Sequence, residues 1–202
     1  MAPSLLYIHG LNSSPASRKA QQLINAARQL GLAERVSVPA LHHHPRQALA
    51  QLEDAIVTLG KPLLVGSSLG GYYATHLAQR HGLTAVLINP AVNPHRLFDG
   101  YLGVQRNLYT GEEWQLTADH VQALAELEVP PPQAGGRFQV WLQTADETLD
   151  YRHAEAFYQG CALDVRQGGD HSYHGFANRL PELLRLAGVP PERCAALDLA
   201  TL

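Results

Sequence analysis

The sequence predicts an α/β protein: a mostly parallel sheet of about six strands with helices on both faces, interrupted by one short lid-like insertion. Three observations carry this. Short β-rich runs alternate with longer stretches of helical periodicity. Several of the short runs are apolar at every position, the pattern of strands buried on both faces. One gap, Pro90 to Gly136, puts 47 residues between two strand candidates, more than an ordinary crossover needs.

The strand candidates in chain order are Leu5-Leu6-Tyr7-Ile8, Val36-Ser37-Val38, Leu63-Leu64-Val65, Ala85-Val86-Leu87-Ile88 and Phe138-Gln139-Val140-Trp141-Leu142, with Leu163-Asp164-Val165 a weaker last one. Between them run helical stripes. Leu23, Ile24, Ala27 and Leu30 form the first, with Ser14 as the expected cap, Pro15 at the first position and Gly31 at the end. Leu49, Leu52, Ile56 and Leu59 form the second, ended by Gly60, and Leu69, Tyr73 and Leu77 the third. Val121, Leu124 and Leu127 form a fourth, stopped by Pro130-Pro131-Pro132. Ala154 and Phe157 mark a fifth, and Pro181 to Ala187 reads as the last.

Composition excludes several classes. The 202 residues suit one domain spanning 1–202, with the insertion at about 90–136. Apolar residues make up 46 % and charged residues 16 %, which excludes a disordered or fibrous chain. The net charge of −3, with no Lys/Arg cluster, argues against nucleic acid and anionic membranes as partners. Cys161 and Cys194 lack the spacing of a zinc site or a disulfide framework and read as packing or surface thiols. The N-terminus lacks a basic stretch before its short apolar run, and no run approaches the length of a membrane span, so a cytoplasmic location is expected.

Gly66-Ser67-Ser68-Leu69-Gly70 matches G-x-S-x-G, directly after one strand candidate and opening a helix. That strand–turn–helix setting is the one a nucleophile elbow requires. A nucleophile on a sharp turn adopts a strained backbone, and the residues two before and two after crowd it, so both must lack a Cβ. Gly66 and Gly70 stand at those offsets from Ser68, whereas Ser67 would need glycines at Val65 and Leu69. Ser68 is therefore the candidate nucleophile, near the positive end of the helix that follows.

A hydroxyl attacks only when a base takes its proton. In this arrangement the acid and then the histidine follow the serine, each from a loop after a strand. Asp146 lies nearest the end of the Phe138–Leu142 strand; Asp150 is a second candidate with a bland role open to it, capping the next helix. His171 follows Gly168-Gly169-Asp170 after the last strand, with His174 as runner-up and Asp170 read as a turn or surface residue. The oxyanion needs backbone donors, for which the candidates are the N–H of Leu69 and that of Leu11. His9 precedes the serine and reads as a loop-ordering residue.

Together these residues resemble the α/β-hydrolase fold and, more narrowly, the small bacterial YqiA-type esterases. The stretches that carry the resemblance are Leu-Tyr-Ile-His-Gly-Leu-Asn-Ser-Ser-Pro (6–15), Val-Gly-Ser-Ser-Leu-Gly-Gly-Tyr-Tyr-Ala-Thr (65–75) and Asn-Pro-Ala-Val (89–92). Tyr-Leu-Gly (101–103), Tyr-Thr-Gly-Glu (109–112), Gln-Thr-Ala-Asp-Glu-Thr-Leu-Asp-Tyr-Arg (143–152) and Gly-Gly-Asp-His-Ser-Tyr-His-Gly-Phe (168–176) complete it. The resemblance implies Ser68, Asp146 and His171 as a triad, hydrolysis of carboxylic esters, and a sheet beginning at what larger relatives count as their third strand. Leu41-His42-His43-His44-Pro45 departs from it, where a proline-rich loop is expected, and so does Gly-Gly-Asp-His, where asparagine often precedes the histidine.

The expectation is a serine hydrolase acting on short acyl esters or acyl thioesters through an acyl-enzyme, with no cofactor. The alternative is a non-catalytic binding module of the same fold, since fold alone does not impose chemistry. His42, His43 and His44 invite a metal reading, but adjacent histidines rarely share one tetrahedral site, so none is expected. Gly66 to Gly71 lacks the nucleotide-loop signatures that would make it a phosphate cradle. Phe98, Tyr101, Tyr109 and Trp114 line an acyl pocket or form the insertion's own core; the sequence does not choose.

Overall fold

In the computed structural model, which describes residues 3–133 and 135–202, the apolar runs become the strands β1 (Leu5–Ile8), β2 (Val36–Ser37), β3 (Leu63–Ser67) and β4 (Ala85–Ile88). After the insertion come β7 (Phe138–Gln143) and β8 (Ala162–Arg166). Met1 and Ala2, where the N-terminal stretch read for a targeting signal begins, lie outside the described residues, as does Ala134. These six strands form one sheet in the order β2-β1-β3-β4-β7-β8, and every pairing is parallel. Every residue of β1, β3 and β4 is buried, so the most apolar runs occupy the middle, while β2 and β8 are half-buried at the edges.

Alternation along each strand divides the core into two layers. Leu6, Ile8, Leu64, Leu87 and Val140 face α2 (Pro45–Leu59), α3 (Leu69–His81) and α5 (Tyr151–Phe157). Leu5, Tyr7, Val65, Val86, Ile88 and Trp141 face α1 (Arg18–Gln29) and α6 (Leu180–Leu186). After α6 comes the short α7 (Pro191–Cys194), whose Arg193 guanidinium donates to the Leu30 carbonyl. No helix among the described residues is long and apolar enough to cross a membrane.

The start of α1 differs from expectation. Ser14 and Pro15 belong to a turn, in which Ser14 Oγ accepts from the Ala16 N–H at 3.0 Å and the Ser14 carbonyl accepts from the Ser17 N–H. The helix begins at Arg18 because Ser14 finds its partner two residues on, the alternative that serine offers a backbone entering a helix. Gly31 ends it as expected, with φ +63.

The segment between β4 and β7 has structure of its own. It holds an antiparallel hairpin of β5 (Gly103–Arg106) and β6 (Glu113–Leu116), then α4 (Ala118–Ala125). The helix docks on α2: Arg46 pairs with Asp119 (3.0 Å) and Glu126 (2.9 Å), and His44 Nε2 donates to Asp119 (2.8 Å). Leu124 and Leu127 complete the apolar seam beneath.

Candidate active site

The end of β3 sets the site. Ser68 follows it at φ +56, ψ −123, a conformation foreign to most side chains, and occupies the cap position of α3. Its backbone is held by the Ser68 N–H on the Ile88 carbonyl (3.1 Å) and by the Ala91 N–H on the Ser68 carbonyl (3.0 Å). The glycines around it are obligatory. A Cβ on Gly66 would stand 2.4 Å from the Gly70 carbonyl oxygen, and one on Gly70 only 2.0 Å from that of Ile8. The crowding at Gly70 thus comes from the end of β1, not from Gly66 alone.

Ser68 makes no capping bond with its own helix. Its Oγ lies 3.0 Å from His171 Nε2. On the other side of the ring, Nδ1 lies 2.8 Å from Asp146 Oδ2 and 3.0 Å from Oδ1. A carboxylate only accepts, so Nδ1 carries the proton and Nε2 accepts from the serine hydroxyl. Asp146 has almost no exposed side-chain surface, whereas His171 keeps about a fifth of its own (2 % against 22 %). Asp146 Oδ1 also accepts from the N–H groups of Thr148 (2.9 Å) and Leu149 (2.8 Å), an Asx turn that fixes the carboxylate. The runners-up lie elsewhere. Asp150 caps α5 through the Arg152 N–H, and the exposed His174 meets the site only through its backbone.

Two buried amides that the sequence reading passed over hold the His171 loop. Asn89, at φ +41 just after β4, donates from Nδ2 to the carbonyls of Asp170 (3.0 Å) and His171 (3.3 Å) and accepts the Gln143 N–H (3.0 Å). Gln143 Oε1 accepts from the N–H groups of Asp170 (3.1 Å) and His174 (2.8 Å), and its Nε2 donates to the His174 carbonyl. A Cβ on Gly169 would lie 2.0 Å from Gln143 Oε1, which is why the turn before the histidine is glycine. Glu147 accepts the His171 N–H (2.9 Å), and that bond holds its carboxyl below the usual range. Lys19 Nζ donates to the Ser172 carbonyl (2.8 Å); burial pushes its ammonium down to about 8, against the pull of Asp170 and Asp146.

The loop after β1 passes beside Ser68. A Cβ on Gly10 would lie 3.1 Å from Ser68 Cβ. Among the described residues, no protein group takes the N–H of Leu11 or of Leu69. His9 accepts the Leu41 N–H at Nε2 (3.3 Å) and so donates from Nδ1 to the Gly10 carbonyl (3.0 Å); burial keeps its pKa below the ordinary histidine value. A cavity of about 110 Å³ opens here, walled by Leu11, Leu41, Leu69, Tyr73, His43 and Trp114 among others. Of the four insertion aromatics, only Trp114 reaches it. Phe98 packs on the core, and Tyr101 and Tyr109 are exposed.

The three adjacent histidines take different roles. His42 Nδ1 accepts the His44 N–H, His44 caps α2, and His43 stacks on Trp114 with centroids 4.9 Å apart. Among the described residues no three ligating side chains converge on one point.

Residues 4–188 match the model of a family described as an uncharacterised protein family, UPF0227. The chain belongs to this family. It is the YqiA-like family that the sequence resembles. A UPF0227 protein of Shewanella woodyi is 28 % identical over 189 residues, covering 89 % of this chain and 96 % of that one. Among solved structures, the alpha/beta hydrolase domain-containing protein 10 of mouse superposes with TM-score 0.68 at 13 % identity, covering 93 % of this chain and 89 % of that one. Est1E of Butyrivibrio proteoclasticus with ferulic acid bound gives 0.64 at 15 %, over 92 % and 86 % of the two chains. The likeness to these structures shows the fold alone: the chain has the α/β-hydrolase fold.

Proposed function

We propose that this chain is a serine hydrolase that cleaves carboxylic esters or thioesters of short acyl groups through an acyl-enzyme. One observation carries the reading: Ser68 Oγ, the His171 ring and the Asp146 carboxylate form one hydrogen-bonded line at 3.0 and 2.8 Å. In that line His171 Nε2 takes the serine proton as Oγ attacks the acyl carbon, Asp146 holds the tautomer and stabilises the imidazolium, and His171 returns the proton to the leaving group. Water then attacks the acyl-enzyme with His171 again as base. The N–H groups of Leu11 and Leu69 receive the oxyanion, the latter backed by the positive end of α3.

Cavity size supports a short acyl group. An engineered apolar cavity of about 150 Å³ holds one benzene, and the pocket beside Leu11 and Leu69 measures about 110 Å³. The insertion at about 90–136 serves as a lid, its Trp114 forming one wall of that pocket. A structure of this fold named as an esterase domain, from Rhodothermus marinus, agrees with the reading.

The test is hydrolysis of p-nitrophenyl butyrate by wild type and Ser68→Ala, with fluorophosphonate labelling alongside. The reading requires a labelled wild type and a variant slower by at least about 10³-fold. Equal rates in the two proteins, or no label, overturn it in favour of a binding module.

A further inference from the structure

Among the described residues, four hydrogen bonds join the loop after β1 to the insertion, and all four end on Asn12 or Ser13. Asn12 Nδ2 donates to Gln105 Oε1 (3.2 Å), and Asn12 Oδ1 accepts from Trp114 Nε1 (2.8 Å). The Asn12 carbonyl accepts the Leu108 N–H (2.9 Å), and the Ser13 carbonyl accepts from Asn107 Nδ2 (2.9 Å). Asn12 adopts φ +54, which asparagine tolerates better than most residues.

This anchorage matters because of what precedes it. Gly10 is wedged against Ser68 and tied to His9. Leu11 is the single residue between Gly10 and Asn12, so the direction of its N–H follows from two fixed neighbours. The nucleophile side fixes one. The β5–β6 hairpin fixes the other. A two-stranded ribbon is marginal by itself, and Val104 (69 %) and Leu108 (81 %) leave this one largely in solvent. Its bonds to Asn12 and Ser13 therefore order the ribbon and the loop together.

We propose that Asn12 is a positioning residue for the oxyanion donor: by docking on Gln105 and Trp114 it aims the Leu11 N–H, which is in place only while the hairpin is docked. The role rests on the serine-hydrolase reading above. It also gives the insertion a part in the chemical step, since a hairpin that lifts away takes Asn12 with it.

The experiment compares full-length wild type, Asn12→Gly and Gln105→Ala. Glycine keeps the positive φ and removes both side-chain bonds; the alanine removes one bond to Asn12 from the insertion side, together with Gln105's own bond to the Tyr101 carbonyl. For each protein kcat and KM on p-nitrophenyl butyrate, the affinity of phenylboronic acid, fluorophosphonate labelling and Tm are measured. The tetrahedral boronate on Ser68 fills the oxyanion site, so its affinity reports the donors rather than the fold. Loss of one oxyanion donor lowers kcat by about 10²–10³-fold, and a misaimed donor by less. Asn12→Gly is expected to lose about 10–100-fold in kcat and a comparable factor in boronate affinity, with KM within about threefold. Gln105→Ala moves both the same way by a smaller factor. Boronate affinity unchanged in Asn12→Gly, whatever happens to kcat or Tm, overturns the role. If that variant does not fold, Gln105→Ala is judged by the same criterion. A wild type that neither labels nor turns over overturns the hydrolase reading, and this role with it; a labelled wild type with an indifferent Asn12→Gly overturns this role alone.

Discussion

The Asn89 side chain reaches 82 positions along the chain to donate to the carbonyl of His171, at 3.3 Å, while donating to that of Asp170 at 3.0 Å. Its own Oδ1 takes the buried Gln143 N–H. One amide thus joins the end of β4, the end of β7 and the histidine loop.

Removing that amide acts on the site more than on the fold. Asn89→Gly keeps the positive φ but leaves the Gln143 N–H without its partner, at a cost of about 1–3 kcal/mol. The expected result is a Tm lowered by a few degrees and kcat lowered about tenfold or more, because Nε2 is no longer held on Ser68. Steady-state kinetics beside a melting curve checks it; unchanged kcat in a folded variant would show that Gln143 and Glu147 suffice.

The elbow glycines separate cleanly from an ordinary one. Gly70→Ala drives a Cβ to 2.0 Å from the Ile8 carbonyl oxygen, against backbone at the end of β1 that cannot move aside. It is expected to cost more than about 4 kcal/mol and to yield little folded protein. Gly31→Ala meets nothing within 4 Å and carries only the strain of φ +63, about 1–2 kcal/mol. Denaturant melts of the two variants test the contrast.

Acid loosens the insertion. Thr117 N–H donates to His120 Nδ1, which leaves the proton on Nε2, and that nitrogen lies 3.2 Å from His43 Nδ1. Protonating His43 sets two donors face to face. Burial first, then the neighbouring histidines, hold both rings below the ordinary value, against the opposing pull of Glu112 on His43 and Asp119 on His120. The unfolded chain therefore takes up protons before the folded one. The contact contributes fully above about pH 6.5 and is lost as pH falls through the lower folded values. Hydrogen-exchange protection over 103–127, corrected for intrinsic rates, should drop between pH 7.5 and 5.5 in wild type and drop less in His43→Gln, where only His120 of the pair still titrates.

Arg179 is buried (3 % exposed) in the other layer. Its guanidinium stacks 3.9 Å over Trp141 and pairs with Asp164 and Glu182. Both carboxylates are partly exposed and rehydrate when the arginine goes, so Arg179→Met should cost about 1–3 kcal/mol rather than the larger penalty of stranded buried charges. A Tm shift of about 2–4 °C per kcal/mol is the readout.

How much the sequence disclosed follows from the range of each interaction. Ser68 could be picked over Ser67 because its glycines stand at fixed offsets in the same turn. The central strands were readable because burial on both faces leaves no polar position in Leu5–Ile8 or Ala85–Ile88. Asp146 and His171 followed from chain order and from the strands before them. Asn89, Gln143 and Asn12 were not readable as site residues. Each acts by side-chain bonds to segments 27 to 102 positions away, which no local pattern encodes. Ser14 misled for the opposite reason: its cap-like context was genuine, but its hydroxyl was satisfied two residues on, in a turn.

The backbone at Ser68 has a consequence for how long this protein lasts rather than how fast it works. At φ +56 and ψ −123 the chain holds a serine where glycine belongs. Such strain is on the order of 1–3 kcal/mol, a sizeable part of a marginal total. Ser68→Gly should therefore be inert and yet outlast the wild type in a heat-inactivation or proteolysis assay. Breeding this chain for durability alone would erase the Ser68 hydroxyl first.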